Sequence, residues 1–474
     1  MNLLVQIPSI VEKYSEYFKD LFSSEGFEYF KRFISGLIVS ENKTIEGINR
    51  LFVLEPRHQA SANKFMNRQN FDIEALNTRR VSFMQEHPST SFKSMQVTKG
   101  GGVLSIDNSL LSHYGEHFDG IYRLWDYVNK RYTMAHDLVT LYYSDNQTDY
   151  PVDYKLWEAP DWDAVAAHFK SIGVHINEQK WKRRTEEPKK WREYMRYRYR
   201  DYNYKKTSVQ DIYKSKNHIA IDLLRKFKSQ HPDYDFPVAL DSGFTNPMNC
   251  EIINTELNMA YVGFLKDTQQ ITLAGSVEKP LKEFVIQLKE EHQRTGKVFQ
   301  KTTIFYKGEK KTFYAYCKNH NLKNYKRKQR LVISFQKDDL SDTPRYTICN
   351  RLSWYASGIL TIRSHRWPVE TYHQEGKNEG LQSYQARNME AIQSHIAFVV
   401  VAFSMLRRAQ HDNDLLSSIQ QLLHIEVDGT LAFLRRLMKA EAVAHFVKYI
   451  LNVDSFEDKL LKILRPFFAQ TAYH

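Results

Sequence analysis

Cysteine is scarce in this sequence, and its spacing excludes folds that depend on it. The 474 residues include three cysteines, Cys250, Cys317 and Cys349. They are too few and too scattered for a disulfide framework or a CxxC metal site. This usage fits a reducing compartment, so we expect a cytoplasmic protein.

Long apolar runs and secretion signals are also absent. The longest apolar run, IAFVVVAFSML at 396–406, is about half of the ~20 residues that a membrane span needs. We expect a buried helix there and no membrane partner. The N-terminus lacks a basic region followed by a long apolar run, so no signal peptide is expected. The glycines of TKGGG (98–102) are not followed by Lys-Ser or Lys-Thr, which excludes a Walker-type phosphate loop.

Positive charge and aromatic rings are in excess. The chain has 67 Lys and Arg against 55 Asp and Glu, a net charge of +12, with 29 Tyr and 28 Phe. Such a basic balance favours a polyanionic partner, with nucleic acid first and an acidic membrane surface second.

Hydrophobic periodicity predicts a mixed α/β protein with helical regions at both ends. Residues 1–97 suit either a helix-turn-helix that reads a DNA groove or an ordinary helical bundle. Residues 98–265 predict three antiparallel strands followed by helix-linked strands. Residues 266–350 predict an inserted, mainly β subdomain. Residues 351–408 would complete the mixed core, and residues 409–474 are predicted to be helical.

Two aspartates stand at the ends of apolar segments, where burial is costly. Asp107 follows VLSI and Asp241 follows FPVAL. A buried carboxylate needs a hydrogen bond, an ion pair or a metal. Taken singly, each is explained as well or better as a turn or cap residue at a strand end.

A third acid lies in the segment HRWPVETYHQEGK, residues 365–377. Pro368 suits the first turn of a helix, and Glu370, His373 and Lys377 then share one helix face. A solvated face with Glu–Lys pairing is the alternative, but it does not account for the Arg-Trp pair before the proline.

Together, Asp107, Asp241 and Glu370 predict a two-metal site. Two Mg²⁺ ions ~3.5–4 Å apart would flank a scissile phosphate, with Mn²⁺ able to substitute because the ligands are hard oxygens. Arg366 and Lys377 would neutralise neighbouring phosphates, the arginine with a two-pronged fork and the lysine as a point charge.

These blocks resemble the DDE transposases of bacterial insertion sequences, in the branch with a Tyr-x2-Arg-x3-Glu-x6-Lys signature and a β-rich insertion. Arg366, Glu370 and Lys377 match that spacing, while SIDNSLL (105–111) and LDSGF (240–244) resemble the two aspartate blocks. The resemblance covers roughly residues 100–395.

The resemblance implies a ribonuclease-H-like mixed-sheet catalytic core in which the three acids bind Mg²⁺. It also implies a nucleoid-associated bacterial enzyme that binds double-stranded terminal inverted repeats, cleaves them and joins the 3′ ends to target DNA as a homodimer. Trp367 and His373 also occur in relatives and are predicted DNA contacts. The tyrosine position is occupied by Arg363, so a tyrosine contact to DNA is not carried over.

A basic and aromatic segment, residues 180–206, is the second predicted DNA surface. It holds 12 Lys and Arg against 4 Asp and Glu, with two tryptophans and five tyrosines interleaved, which suits phosphate contact and base stacking. A solvated loop is the alternative. The predicted contacts are Lys182, Arg183, Arg184, Lys189, Lys190, Arg196, Arg198 and Arg200. For a further basic patch, residues 318–330, DNA contact and a solvated surface are nearly equal expectations.

Three functions fit these observations. A transposase is favoured, a structure-specific nuclease with the same core is the second, and a non-catalytic DNA-binding protein derived from a transposase is the third. The third has no need of all three carboxylates, so the intact trio argues against it.

Overall fold

The computed structural model describes residues 3–55, 57–67, 71–94, 101–115, 117–203, 212–423 and 430–451. In these residues one large mixed sheet is covered by helices, which confirms the predicted α/β class. Most of the buried apolar side chains form one continuous core.

The N-terminal region is helical and packs on the rest of the protein. Its helices are α1 Ser9–Ser15, α2 Ser24–Val39, α3 Ile45–Asn49, α4 Gln59–Asn67 and α5 Ile73–Gln85, with a 3₁₀ helix at Glu16–Leu21. Phenylalanines of this region contact the ring of Phe398, which lies in a buried C-terminal helix. Residues 68–70, between α4 and α5, lie outside the described residues, so the helix-turn-helix stays a prediction.

Antiparallel strands open the sheet, as the sequence predicts. They are β1 Val103–His113, β2 Tyr122–Asp126, β3 Arg131–Ser144 and β4 Asp149–Trp157. Strand β3 pairs with β1 on one side, and with β2 and β4 in succession on the other. The short strand β2 was missed because none of its five residues is fully buried, so it has no apolar run to mark it.

Helix-linked parallel strands extend this sheet. The next elements are α6 Trp162–Ser171, α7 Glu178–Lys182, α8 Pro188–Asn203, α9 Lys216–Gln230, β5 Val238–Leu240, α10 Pro247–Thr255 and β6 Tyr261–Leu265. Strand β5 lies parallel between β1 and β6.

The inserted region is mainly β, and its strands continue the same sheet beyond β6. It contains β7 Gln270–Thr272, β8 Glu278–Pro280, α11 Leu281–Thr295, β9 Gln300–Tyr306, β10 Glu309–Leu322, β11 Gln329–Phe335 and β12 Arg345–Cys349, with a 3₁₀ turn at Ala274–Ser276. Strand β12 pairs antiparallel with β6. This pairing satisfies backbone groups that β6 would otherwise expose as an edge strand.

Helices close the chain. They are α12 Ala356–Ser364, α13 Trp367–Asn378, α14 Met389–Ala409, α15 Asn413–Leu423 and α16 Leu431–Leu451. Among the described residues, α14 is the one helix long and apolar enough to cross a membrane, and 83% of its most apolar window is buried inside the protein. It is therefore the buried core helix that the sequence predicts.

Candidate active site

The sheet places Asp107 beside Asp241. Strands β1 and β5 are parallel neighbours with Ile106 in register with Leu240, so the two aspartates follow paired positions. The sequence suggested that the strand ends at Asp107. In the structure β1 continues along β3 to His113. Asp107 therefore lies where β1 passes beyond the end of β5, at the carboxyl edge of the parallel pair.

Glu370 reaches this edge from helix α13. Arg366 is the N-cap residue of the helix, and Pro368 lies in its first turn, where the missing backbone N–H is not needed. The helix packs against β1, β3 and β4. Glu370, one turn after Arg366, is two-thirds buried.

Arg366 connects two of the three acids. Its Nη1 donates to Asp107 Oδ2 at 3.3 Å, and its Nη2 donates to Glu370 Oε1. The arginine side chain is 13% exposed, and its guanidinium carbon lies 5.4 Å from the ring centre of Phe264. The structure thus brings together Asp107 of β1 and Glu370 of α13, which are 263 residues apart in the sequence.

The two aspartates are electrostatically coupled. The pKa of Asp107 is raised to about 6, first by burial and then by the charge of Asp241, against the opposing effect of Arg366. Asp241 also has the turn role that its sequence context allows, because its Oδ1 accepts from the backbone N–H groups of Gly243 at 2.6 Å and Phe244 at 3.1 Å. The structure therefore concentrates negative charge at this edge of the sheet.

The acidic trio, Asp107, Asp241 and Glu370, has the donor chemistry that Mg²⁺ and Mn²⁺ prefer. Within the described ranges, however, no group of three or more His, Cys, Asp or Glu side chains is close enough to hold a metal ion. A guanidinium cation lies between two of the carboxylates instead. The residue types and this enclosed cation fit a divalent-cation site, but the carboxylates do not have metal-ligand spacing in this conformation.

A fourth carboxylate near the trio was missed from the sequence. Asp137 of β3 is 1% exposed and accepts from Asn108 Nδ2 at 2.7 Å and from Lys216 Nζ at 2.8 Å. Its charge also acts on Asp107. The signal was present, because Asp137 interrupts the apolar run of β3 as Asp107 interrupts that of β1.

The remaining motif residues of α13 have different environments. Trp367 is 63% exposed and is available to a partner. Lys377 is half-buried, and burial lowers its pKa while Asp126 raises it. His373 is buried beside Thr140, 3.3 Å from its hydroxyl, and burial lowers its pKa to about 3. The predicted DNA contact at His373 is therefore not supported, because its neutral ring faces the sheet.

Arg363, at the position of the family's tyrosine, is also turned inward. Its Nη1 donates to Ser334 Oγ at 2.7 Å, and its guanidinium lies over the rings of Phe264 and Phe313. Burial lowers its pKa to about 10.

Buried ions hold the inner side of α13. Asp149 accepts from Tyr142 Oη at 2.6 Å, from Arg407 Nη2 at 2.6 Å and from Lys307 Nζ at 2.5 Å. Burial would raise the pKa of Asp149, but Arg407 and Lys307 outweigh it and hold that pKa below its usual value. Because Arg407 also faces Glu375 of α13, and Lys307 lies at the tip of the β9–β10 hairpin, this cluster joins α13, α14 and the insertion.

Residues 180–203 of the basic segment form helices that enclose a core of their own, and its residues 204–206 lie outside the described residues. Helices α6, α7 and α8, here called the helical module (residues 161–203), enclose an apolar cluster separate from the main core. Trp191, Met195 and Tyr199 lie one turn apart on α8 and are buried in it. The solvated-loop alternative is therefore wrong. The base-stacking interpretation also loses most of its support, because the spacing of the aromatic residues is mainly that of an amphipathic helix. Tyr197 is an exception, since 57% of it is exposed.

The predicted cationic contacts of the module differ in exposure and in pairing. Arg184 binds Asp163 at 3.0 Å, and Arg198 donates to the carbonyl of His175 at 3.0 Å, so both stabilise the module itself. Lys190 is exposed but pairs with Glu187 at 3.0 Å. The others are exposed: Lys182, Arg183, Lys189, Arg196 and Arg200.

The helical module leaves the sheet at the edge that carries the acidic trio. Strand β4 runs parallel to β1, because both are antiparallel to β3, and its last residue Trp157 is in register with Asp137. The chain returns at the start of α9, where Lys216 binds the same aspartate. The module and the trio are thus connected through one edge of the sheet.

The insertion contains a basic groove of about 600 Å³. Its lining includes Lys297, Lys301, Lys318, Arg330 and the exposed Tyr355. Part of the predicted 318–330 patch therefore faces a concave surface.

No protein-family model matches this chain, and no curated protein matches it. Its function is therefore inferred from the motif residues and from their arrangement in the structure.

Proposed function

We propose that the protein is a DDE transposase that cleaves the ends of an insertion sequence and joins the 3′ ends to target DNA. The observation that carries this proposal is the placement of Asp107 and Asp241 side by side at one sheet edge, with Arg366 joining Asp107 to Glu370. The three come from distant segments, and a purely structural protein has no need to collect three carboxylates there.

The topology supports a ribonuclease-H-like core. The strand order β4-β3-β1-β5-β6 has three antiparallel strands followed by two parallel ones. The acids lie on the first strand of this series in chain order, directly after the fourth strand, and on a later helix, which is the placement that the family resemblance implies. The insertion between β6 and α12 agrees with the same branch.

The chain's own residues would hold and orient the DNA. Asp107, Asp241 and Glu370 would hold Mg²⁺, which when bound activates the nucleophilic water or 3′-hydroxyl and stabilises the leaving oxygen. Lys377 and the fork of Arg366 would bind phosphate oxygens next to the scissile bond. Asp137, through Asn108 and Lys216, would keep the backbone beside Asp107 in place.

The exposed cations of the helical module would supply affinity for duplex DNA. The helical module that carries them leaves the sheet at the edge where cleavage would take place. Contacts to phosphates position DNA without reading its base sequence. Since two element ends must be held together, we propose that a homodimer forms in the DNA complex. The cytoplasm, in association with the nucleoid, is the proposed location.

The test combines binding and chemistry on labelled element ends, taken from the DNA that flanks the gene. We expect Mg²⁺-dependent cleavage and joining to a supercoiled plasmid, and we expect Asp241→Asn to abolish both while gel-shift binding remains. Cleavage without joining would identify the structure-specific nuclease. Binding without any Mg²⁺- or Mn²⁺-dependent cleavage would leave the non-catalytic DNA-binding protein.

A further inference from the structure

The guanidinium of Arg366 already holds the place of a cation in the acidic trio. Both of its terminal nitrogens donate to carboxylates, one to Asp107 at 3.3 Å and the other to Glu370. The side chain is largely shielded from water against Phe264. Charge-assisted bonds of this kind are among the stronger polar contacts in proteins.

One guanidinium fork cannot serve these carboxylates and a phosphate at the same time. A metal held by Asp107 and Glu370 would need the carboxylates that Arg366 now engages. Divalent metal and Arg366 would therefore compete for the same carboxylates, and by linkage each would weaken the binding of the other.

We propose that Arg366 is an internal counter-cation that divalent metal displaces, and that the displaced guanidinium then binds the phosphate next to the scissile bond. This inference rests on the proposed function, since it takes the trio as the metal site. Arg366 would thereby link metal loading to DNA positioning. The Arg366 guanidinium would become available to a phosphate only when metal ions have replaced it between the carboxylates.

The test measures Mn²⁺ binding to the full-length protein without DNA. The electron paramagnetic resonance signal of free Mn²⁺ reports how much of the ion remains unbound. Arg366→Gln removes the competing charge, and we expect it to bind Mn²⁺ about tenfold more tightly than the wild type. Arg345→Gln is the matched control, because it removes one exposed arginine charge from β12. We expect this control to have the wild-type affinity.

Two further variants separate the failure of this inference from the failure of the proposed function. If Asp241→Asn leaves Mn²⁺ binding unchanged, the trio is not the metal site and the proposed function is overturned. If Asp241→Asn removes binding while Arg366→Gln binds no more tightly than Arg345→Gln, only the counter-cation role is overturned.

Thermal melting establishes whether Arg366→Gln folds. Should it not fold, Arg366→Lys decides the question, because lysine keeps the charge but lacks the fork that engages both carboxylates. We expect Arg366→Lys to bind Mn²⁺ about threefold more tightly than the wild type. Affinity equal to the wild type would overturn the counter-cation role.

Discussion

The acidic trio and the helical module are both rich in charged and aromatic residues, yet they use them in opposite ways. At the trio, Arg366 is largely shielded from water, between two carboxylates and against the ring of Phe264. In the module, Trp191 and Tyr199 are buried together and most of the cations point outward. Similar composition thus produces an enclosed ion cluster in one region and an outward-facing cationic surface in the other.

Burial explains this difference. A buried charge needs partners, so its geometry is fixed by the groups around it. An exposed cation keeps its hydration and is free to meet a phosphate, which makes its contribution additive and sensitive to salt. The trio should therefore respond to substitution in rate and stability, whereas the module should respond in affinity.

The largest expected effect is on cleavage by the trio. Asp107→Asn keeps the side-chain shape but removes a metal-binding charge, and we expect single-turnover cleavage to fall by roughly 10³-fold or more. Gel-shift affinity should stay near the wild type, because the module and the groove are unchanged. An equal loss of binding and cleavage would show that the trio has a structural role.

The next largest effect concerns the buried ions behind α13. Asp149→Asn leaves Arg407 and Lys307 without their carboxylate, and we expect unfolding free energy to fall by about 3–5 kcal/mol in urea titrations. Asp20→Asn is the matched control, because Asp20 pairs with Arg79 at the surface. We expect this control to change stability little, since exposed ion pairs contribute little.

The third effect is on DNA affinity through the helical module. Lys189, Arg196 and Arg200 are exposed and form one stripe of α8, and changing all three to Gln should weaken duplex binding by roughly 10²-fold near physiological salt. The slope of log K against log salt should flatten by ~0.9 for each phosphate that the variant no longer neutralises. Arg184→Gln with Arg198→Gln is the control, since both arginines have partners inside the module. If the control flattens the slope as much as the triple variant, the outward cations do not form the DNA surface.

The smallest effect is the dependence of stability on pH. His365 and His395 are buried, and burial lowers their pKa values to about 3 and about 4. Because the folded pKa lies below the unfolded value of ~6.5, each stabilises the fold above pH ~6.5 and loses that contribution as pH falls toward its folded pKa. We expect roughly 2 kcal/mol less stability at pH 5 than at pH 7 for each histidine. His395→Gln should reduce this loss, whereas a loss unchanged by the substitution would contradict the assignment.

Local patterns were enough to predict the mixed α/β class, the strands around Asp107 and Asp241, and the helix that carries Glu370. These predictions depend on hydrophobic periodicity and on the helix-starting preference of Pro368. Both are local properties that involve only a few neighbouring residues. The length of β1 and the pairing of β12 with β6 were not accessible in this way, because both are set by neighbours distant in the chain. The sequence therefore predicted an inserted, mainly β region but not its pairing with the core sheet.

The sequence by itself determined which residue types are present at the candidate site and their spacing along each segment. Only the tertiary structure decided which of them face one another. It turned His373 toward the sheet, added Asp137 behind the trio and seated Arg366 between Asp107 and Glu370. The physical reason is that burial and charge pairing depend on contacts between distant segments, and these contacts exist only once the chain has folded.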